Sequence, residues 1–440
     1  MTDAAQPDLD ARTRELDRAH VFHSWSAQAL ISPPVLAGGL GSTVWDHAGN
    51  RWLDFSSQLV NTNIGHQHPA VISAIHAQAD LMATVAPSTA SLPRGEAARR
   101  ILAHAPDGFS KVFFTNGGAD AIENAIRMAR LHTGRDKVLS TYRSYHGNTG
   151  AAIVSTGDWR RIPNEYARGH VHFFGPYLYR SEFWASTPEE ESARALHHLE
   201  RVIQSEGPAG IAAILLESVP GTAGILIPPP GYLAGVRALA DKYGIVLILD
   251  EVMAGFGRTG RWFAFDGYDV VPDLIAFAKG VNSGYVPVGG VIISDVIAAD
   301  FDETVFPGGL TYSGHPLAAA SIVGALDAME SEGIVPHAAH IGSDVIGPGL
   351  RALQERHAII GEVRGEGVFW AMELVTDRDS REPVSAGAMA ELKKGLFSAG
   401  LLPFVQDNRI HVVPPCVVTE DEVAQALSIY DDVLGKNNEG

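Results

Sequence analysis

Two short apolar segments each end at a residue that can take part in acid–base or nucleophilic chemistry. Residues 245–249 (IVLIL) are followed by Asp250, and residues 274–278 (LIAFA) are followed by Lys279. Continuous apolar runs of this length predict strands buried on both faces of a parallel sheet. Ligands of open α/β sheets bind outside the carboxyl ends of the strands, so the carboxylate and the amine are predicted to share one sheet edge.

A carboxylate and an amine at one edge suit a cofactor that has a heteroaromatic ring and an aldehyde. A carboxylate keeps a nearby ring nitrogen protonated, and a lysine forms a Schiff base with an aldehyde. Asp250 and Lys279 together therefore suggest a pyridoxal phosphate site. Taken alone, these two residues leave open a buried ion pair that binds no ligand.

A phosphate site is suggested by residues 111–134 (KVFFTNGGADAIENAIRMARLHTG). This stretch predicts a strand, a turn that contains Gly117 and Gly118, and an amphipathic helix that ends at Gly134. Glycines at a helix N terminus leave backbone N–H groups free to bind an anion such as phosphate. The alternative is a tight turn without a ligand.

An aromatic residue follows the next predicted strand, at residues 137–141. Tyr145 and His146 precede Gly147 there. An aromatic ring at a strand edge can lie on a flat cofactor ring, and the glycine permits close approach.

Length and composition bound the class of protein. The chain has 440 residues, of which 46% are hydrophobic and 19% charged. This length is greater than one hydrophobic core usually supports, so two domains are expected. A net charge of -18 argues against nucleic acid or an anionic membrane as partner. The single cysteine, Cys416, excludes an internal disulfide and fits a reducing compartment. No apolar run reaches bilayer-spanning length, and a cytoplasmic protein is expected.

The order of predicted elements indicates an α/β fold. Strands alternate with helices across residues 110–295, which predicts a large, doubly wound, mostly parallel sheet. A predicted β-hairpin at residues 41–57 and an α+β region after residue 325 form the smaller domain. The predicted division is residues 1–60 and 325–440 for the small domain and 61–324 for the large one.

Two other motifs suggest different kinds of site. The segment GFGRTG, with Gly255, Gly257 and Gly260, matches the dinucleotide-binding pattern. However, Asp250 and Glu251 would repel a pyrophosphate, and the segment that follows does not resemble an amphipathic helix. Separately, His66 and His68 lie close in sequence, but no third ligand stands nearby, so no metal site is expected.

Taken in order, the motifs resemble the class III, or ω-, aminotransferases, which are fold-type I pyridoxal phosphate enzymes. The resemblance covers residues 20–430. It rests on VWDHAGNRWLDF, GHQHP, FFTNGGADAIENAIRMAR, YHG, LILDEVMAGFGRTG, FAKGVNSGYVPVGG and TYSGHPLAAA.

The resemblance implies a role for each matching residue. Lys279 would be the Schiff-base lysine, and Asp250 the partner of the pyridine nitrogen. Thr311 would reach the phosphate bound to a neighbouring subunit, which implies a homodimer, alone or paired as a dimer of dimers. The remaining cofactor-binding residues would be Gly117, Gly118, Ala119, Tyr145, His146, Glu217 and Val252. Arg258 would have a structural role.

The resemblance also implies a reaction. The enzyme would move an amino group from an amine or ω-amino acid, such as a taurine-like amine or a diamine, to pyruvate or another 2-oxo acid by a ping-pong mechanism. One alternative is a 2,1-aminomutase of the glutamate-1-semialdehyde type. Another is a non-catalytic regulator, which is disfavoured because no basic DNA-binding segment precedes the domain.

The substrate pocket departs from the family pattern. Many relatives have an arginine that binds a substrate carboxylate where this chain has Phe404. Arg409 is nearby, but on an extended segment its side chain is predicted to point to the other face. Val60 occupies a place where ω-transaminases often have a bulky aromatic. The predicted pocket residues are Phe22, Trp25 and Val60.

Overall fold

The computed structural model describes residues 8–436. Its β-strands are numbered in chain order. They are β1 Gly38–Leu40, β2 Thr43–Trp45, β3 Arg51–Asp54, β4 Phe109–Thr115, β5 Lys137–Thr141, β6 His170–Phe173, β7 Ile211–Glu217, β8 Val246–Asp250, β9 Leu274–Phe277, β10 Gly289–Ser294, β11 Ile360–Glu366, β12 Phe369–Asp377, β13 Glu382–Pro383, β14 Leu401–Leu402, β15 Phe404–Gln406 and β16 Arg409–Val412.

The α-helices are numbered in the same way. They are α1 Leu9–His20, α2 Ser57–Val60, α3 Pro69–Leu81, α4 Leu92–Leu102, α5 Gly118–Thr133, α6 Gly150–Ser155, α7 Pro188–Glu206, α8 Tyr232–Tyr243, α9 Asp295–Ala299, α10 Pro316–Ser331, α11 Ile334–His340, α12 Gly347–Arg356, α13 Ala386–Ser398 and α14 Glu420–Lys436. Within the described range, none of the helices combines the length and apolar composition needed to cross a membrane.

The large sheet has seven strands in the order β4-β10-β9-β8-β7-β5-β6. Strands β9, β8, β7, β5 and β6 run parallel to one another, and β10 is antiparallel to both β4 and β9. The carboxyl ends of β7, β8 and β9 therefore lie side by side at one edge. This arrangement confirms the predicted α/β class.

Both faces of this sheet are buried, which explains its continuous apolar strands. On β8, Val246 and Ile248 pack into the core cluster that contains residues of α5. Leu247 and Leu249 pack into the opposite cluster, with residues of α7 and α8. Because successive side chains of a strand point to opposite faces, a strand covered on both sides must be apolar throughout.

The two ends of the chain meet in a second region. Strand β14, near the C terminus, pairs in parallel with β3 of the N-terminal hairpin. A further sheet has the order β11-β12-β16-β15. An α+β region built from both termini is therefore present, as expected. The predicted domain borders stay predictions, and residues 1–7 and 437–440 lie outside the described part.

Two local expectations differ from the structure. Residues 158–186 are rich in aromatic residues and arginine, which predicts loop with short helices, but they also contain β6, which extends the sheet beside β5. The segment from Phe404 to Arg409 is not continuously extended. It turns at Asp407, which has φ of 51°, so that Arg409 lies on the returning strand opposite Gln406. The argument that Arg409 points to the other face is therefore wrong.

Candidate active site

The acidic residues at the strand ends lie next to each other. Glu217 on β7 and Asp250 on β8 are paired in the sheet register. Lys279 follows β9, the next strand, in a backbone conformation with φ of 40°. All three residues line one cavity of about 340 Å³ at the carboxyl edge of the sheet.

This cavity brings together nine of the predicted site residues. They are Gly117, Gly118, Ala119, Tyr145, His146, Glu217, Asp250, Val252 and Lys279.

The carboxylate of Asp250 is held from two sides. Its Oδ2 lies 2.8 Å from Nδ1 of His146, and its Oδ1 accepts a hydrogen bond of 3.0 Å from the backbone N–H of Val252. Asp250 and His146 are both buried. The hydrogen bond requires the imidazole proton on Nδ1, because a carboxylate can only accept. The carboxylate therefore has one defined orientation in the cavity wall.

Glu217 organises the loops beside the cavity. Oε1 accepts from the backbone N–H of Tyr145 at 2.9 Å, and Oε2 accepts from that of Gly221 at 2.8 Å. Burial raises the pKa of Glu217 above its ordinary value, against the opposing effect of His146. Its contacts indicate that Glu217 positions the chain around the cavity.

Lys279 lies in surroundings that favour its uncharged form. Burial lowers the pKa of its amine, while the charges of Asp250 and Glu217 raise it and those of Arg258 and Arg160 lower it. Burial is the largest of these effects. An uncharged lysine amine is both a nucleophile and a base.

The N terminus of α5 lies at the same cavity and forms a cradle of a kind suited to an anion. Helix α5 begins at Gly118, directly after the turn, and carries its unpaired N–H groups there. A Cβ atom at Gly118 would lie 2.9 Å from Cγ1 of Val252, so a side chain at this position would crowd the cavity wall. Gly147 has φ of +131°, and a Cβ there would lie 2.5 Å from Cβ of Ala119. The glycines therefore permit the close packing that shapes the cradle.

One residue that contacts the cavity wall was not predicted from the sequence. Arg160, in the 3₁₀ helix Trp159–Asn164, places its Cζ atom 3.8 Å from the centre of the Tyr145 ring. The Trp25 ring packs edge-on against Tyr145, with 6.4 Å between ring centres. No local pattern distinguishes Arg160 from its neighbour Arg161, so the sequence offered no signal for this contact.

Other predicted residues lie away from this cavity. Phe22 is 85% exposed, and Thr311 is exposed as well. Val60 is buried in a cluster with Met253 and Phe404, although its neighbour Leu59 lines the cavity. The substrate-pocket assignment therefore stays a prediction, and the role of Thr311 requires a second copy of the chain.

Arg258 crosslinks the segments around the glycine turn. It is fully buried, and its guanidinium donates to the carbonyls of Val368 and Pro414, to Oγ of Ser57 and to Oδ1 of Asn63. These contacts fit a structural role. Within residues 8–436, no three His, Cys, Asp or Glu side chains converge as a metal-binding group.

The residues present fit pyridoxal phosphate. The cavity combines an amine of lowered pKa, a fixed carboxylate, an aromatic ring and a helix N terminus suited to phosphate. The GFGRTG turn does not indicate a dinucleotide site, because its Arg258 is buried and donates hydrogen bonds to other parts of the chain. Fold and site together define a pyridoxal phosphate-dependent enzyme of fold type I.

Comparison with known proteins identifies the family. The Aminotransferase class-III family model matches residues 29–434. The chain is 31% identical to the taurine–pyruvate aminotransferase of Rhodobacter capsulatus, over 95% of each protein. It is also 31% identical to the putrescine–pyruvate aminotransferase of Pseudomonas aeruginosa, over 96% of each. The chain belongs to the class III aminotransferases, and it is a pyridoxal phosphate-dependent aminotransferase.

Solved structures agree with this assignment. The taurine:2-oxoglutarate aminotransferase of Bifidobacterium kashiwanohense, in complex with PLP and glutamate, superposes with a TM-score of 0.94 at 40% identity, covering 98% of both chains. The (S)-enantioselective ω-transaminase of Thermomicrobium roseum superposes with a TM-score of 0.92 at 36% identity, covering 97% of this chain and 98% of that one.

Proposed function

We propose that this aminotransferase moves an amino group from an amine or ω-amino acid to pyruvate or another 2-oxo acid. The observation that carries the proposal is the meeting of Asp250, Lys279 and the N terminus of α5 in one cavity. Two of the relatives named above act on taurine or putrescine with pyruvate as acceptor, and a third acts on taurine with 2-oxoglutarate. These names support a taurine-like amine or a diamine as donor.

The cofactor is held by groups from several elements. Lys279 would be its covalent anchor, and Asp250 would pair with the ring nitrogen. The backbone N–H groups of Gly118 and Ala119 would bind the phosphate, and Gly117 would permit close approach. Tyr145 and Val252 would contact the ring. His146 and Glu217 position these groups through their hydrogen bonds with Asp250 and with the Tyr145 backbone.

The residues of the cavity have separate roles in the reaction. When bound, pyridoxal phosphate supplies an aldehyde that exchanges amines and a ring that draws electrons from the carbon bearing the amino group. Burial shifts the Lys279 amine toward its uncharged form, so it would move the proton between that carbon and the aldehyde carbon of the cofactor, in one direction in the first half-reaction and in the other in the second. Asp250 would balance a positive charge at the ring nitrogen. Both halves of the reaction use the same groups, so ping-pong kinetics are expected.

The proposed role of Thr311 implies that copies of the chain associate, because Thr311 would bind the phosphate held by a second copy. Exposed apolar side chains, among them Leu81, Leu92 and Val305, support a contact between copies. We propose a homodimer, alone or as a dimer of dimers. The cytoplasmic location expected from the sequence stays a prediction.

The aminomutase alternative is not favoured, because the named relatives are aminotransferases. Such an enzyme would convert its substrate without an external acceptor. A direct comparison mixes the holoenzyme with one donor at a time, namely taurine, putrescine or a β-amino acid, and follows the cofactor spectrum.

An aminotransferase shows a spectral change with donor alone, and pyruvate reverses it. Lys279→Ala serves as the control, and it should show no turnover. Two results would overturn the proposal: no spectral change with any donor, or conversion of glutamate-1-semialdehyde without an acceptor.

A further inference from the structure

The short segment α2, Ser57–Val60, is not a regular helix. Gln58 has φ of 60° and ψ of -89°, and Leu59 has φ of -121° and ψ of 49°, so both lie outside the helical region. Ser57 and Val60 also have positive φ angles, of 45° and 57°. Such conformations are costly for residues other than glycine and persist only where surrounding contacts hold them. Three strained residues among four therefore require strong contacts.

The carboxylate of Asp54 supplies most of the contacts at the middle of the segment. Oδ1 accepts hydrogen bonds from the backbone N–H of Ser56 at 3.2 Å, from the Ser56 hydroxyl at 2.6 Å and from the backbone N–H of Gln58 at 3.3 Å. Oδ2 accepts from Nε2 of the Gln58 side chain at 2.8 Å and lies 2.8 Å from Nε2 of His66. Asp54 therefore holds Gln58 through both its backbone and its side chain.

Asp54 is fully buried and still ionised. Burial raises its pKa, but the hydrogen bonds from His66, Ser56 and Gln58 outweigh this effect, so the pKa lies below its ordinary value. A carboxylate can only accept hydrogen bonds, which matches the donors that surround Asp54. A neutral amide at this position could not accept from all of them.

Each end of the segment has contacts of its own. Oγ of Ser57 donates to the carbonyl of Val413 at 2.6 Å and accepts from Arg258 at 3.2 Å. The side chain of Val60 is buried in an apolar cluster. The strained conformation of Gln58, between these ends, depends on Asp54.

Leu59 lies between the held residues and faces the cofactor cavity. It lines that cavity together with Val252 and Lys279, whereas Gln58 lines a different cavity of about 500 Å³. Leu59 is 52% exposed, so it is not packed into the core. Its position is therefore set by the backbone of its neighbours. A leucine at this wall excludes bulky groups from the space beside the amine of Lys279.

We propose that Asp54 is a positioning residue of the substrate pocket, which holds Gln58 in its strained conformation and thereby keeps Leu59 at the wall of the cofactor cavity. This inference rests on the proposed function and specifies its substrate class. Leu59 limits the size of the groups on the carbon that bears the amino group, so the preferred donors have this carbon unbranched. Taurine-like amines and diamines, whose amino group is on a terminal carbon, fit this limit.

The test compares two donors that differ in size at the reacting carbon. Propylamine carries one ethyl group there, and 3-aminopentane carries two. The readout is the ratio of kcat/KM for 3-aminopentane to that for propylamine, measured from the cofactor spectrum of the holoenzyme in the first half-reaction. A ratio does not depend on the amount of active protein, so a loss of stability alone leaves it unchanged.

Leu59→Ala should raise this ratio by about 10-fold or more, since the fit of one methylene group in an apolar pocket is worth about 10- to 200-fold. Asp54→Asn should raise it as well, because an amide nitrogen cannot accept the hydrogen bonds from Gln58 and His66. In the Leu59→Ala background, Asp54→Asn should cause no further rise, because both changes act on the same contact.

Gln58→Met provides a second variant if Asp54→Asn does not fold. It removes the side-chain donor to Asp54 and leaves the carboxylate in place. It should raise the ratio in the same direction.

A further readout does not depend on activity. The backbone N–H groups of Val60 and Asn61 donate hydrogen bonds to the carbonyls four residues earlier. In the apoenzyme, hydrogen–deuterium exchange of the peptide that spans residues 56–61 should become about 10-fold faster or more in Asp54→Asn, because hydrogen bonds to a charged group are lost.

Asp46→Asn is the matched control. Asp46 is a buried acid in the turn of the hairpin whose second strand ends at Asp54, and it accepts hydrogen bonds from Asn50. The variant should keep the wild-type ratio and the wild-type exchange of residues 56–61.

Wild-type ratios in folded Asp54→Asn and Gln58→Met would overturn the inference, as would a further rise when Asp54→Asn is added to Leu59→Ala. An unchanged ratio in Leu59→Ala, or no reaction of either amine in any variant, would overturn it too. If the wild-type enzyme transfers no amino group from any donor, the proposed function fails, while the exchange measurement still decides whether Asp54 holds the segment.

Discussion

Nδ1 of His146 lies 2.8 Å from Oδ2 of Asp250, and both side chains are buried beside the cavity that Lys279 lines. Nε2 of His146 has no hydrogen-bond partner among the described residues. The backbone N–H of Val252 fixes the second carboxylate oxygen. The charge at Asp250 is therefore directed by its neighbours before any ligand binds, which is the form of preorganisation that makes electrostatic stabilisation effective.

Removal of the Asp250 charge should slow catalysis. Asp250→Asn keeps the shape of the side chain but cannot balance a positive ring nitrogen, so we expect kcat to fall by about 10²- to 10³-fold. Single-turnover kinetics with an amine donor, corrected for cofactor content, measure the effect. Asp273→Asn is the control, because Asp273 precedes β9 and pairs with Arg237 away from the cavity. Wild-type rates in Asp250→Asn would contradict the assigned role.

Lys279 should react as an amine of low pKa. Burial lowers its pKa from the ordinary 10.5, so the uncharged fraction at about pH 8 is larger than for an ordinary lysine. In the apoenzyme, labelling of Lys279 by trinitrobenzenesulfonate should rise with pH and reach its plateau below pH 10.5. Peptide mass analysis measures the rate, with exposed Lys393 as the internal reference. A plateau at or above the ordinary pKa would show that burial does not act as described.

Glu251 should make stability depend on pH. Burial raises its pKa from 4.5 to about 8, although the backbone N–H groups of Ala264 and Phe265 donate to it. Between these values the folded chain binds more protons than the unfolded chain. The free energy of unfolding therefore falls as pH rises from 4.5 to 8, and above that range this group causes no further change.

Glu251→Gln removes this titration and keeps a carbonyl oxygen for the two donors. Urea unfolding should show that the free energy of unfolding falls less between about pH 5 and about pH 8 in the variant than in the wild-type protein. The difference is on the order of 3 to 5 kcal/mol, because each tenfold change in proton affinity corresponds to about 1.4 kcal/mol. Equal pH dependence in the two proteins would count against a protonated Glu251 in the folded state.

Gly147→Ala should weaken cofactor binding. The new Cβ would lie 2.5 Å from Cβ of Ala119, and φ of +131° strains any side chain, so the N terminus of α5 must shift. A strain of about 1 to 3 kcal/mol corresponds to a roughly 5- to 150-fold higher dissociation constant for pyridoxal phosphate. Titration of the apoenzyme measures it. Gly150→Ala is the control, since its Cβ would make only an ordinary 3.6 Å contact with Glu123. Equal affinity in both variants would exclude this role of Gly147.

Local patterns in the sequence predicted much of this architecture. The segment KVLST and the apolar run IAAILLE predict strands at residues 137–141 and 211–217, which coincide with β5 and β7, and the helix predicted at residues 232–243 coincides with α8. These elements are recognisable because burial on both sheet faces or on one helix face leaves a regular pattern. The same reasoning predicted that Asp250, which ends β8, and Lys279, which follows β9, lie at one edge of the sheet. The structure brings them into one cavity.

Features that depend on contacts between distant segments were not predictable in this way. Strand β6 alternates His170 and His172 with apolar residues and is the last strand of the large sheet's order, beside β5, so it lacks a buried-strand pattern. The turn at Asp407 was missed, although Asp-Asn is a common turn pair. Arg160 contacts the Tyr145 ring across 15 residues of chain, and its local sequence gives no sign of this contact.

The most direct test of the central claim is to identify the lysine that holds the cofactor. Borohydride reduction of the purified holoenzyme fixes the cofactor covalently, and peptide mass mapping then locates it. The account predicts a single modified peptide that carries the label on Lys279, and no labelled peptide from Lys279→Ala. A label on any other lysine of the wild-type protein would contradict it.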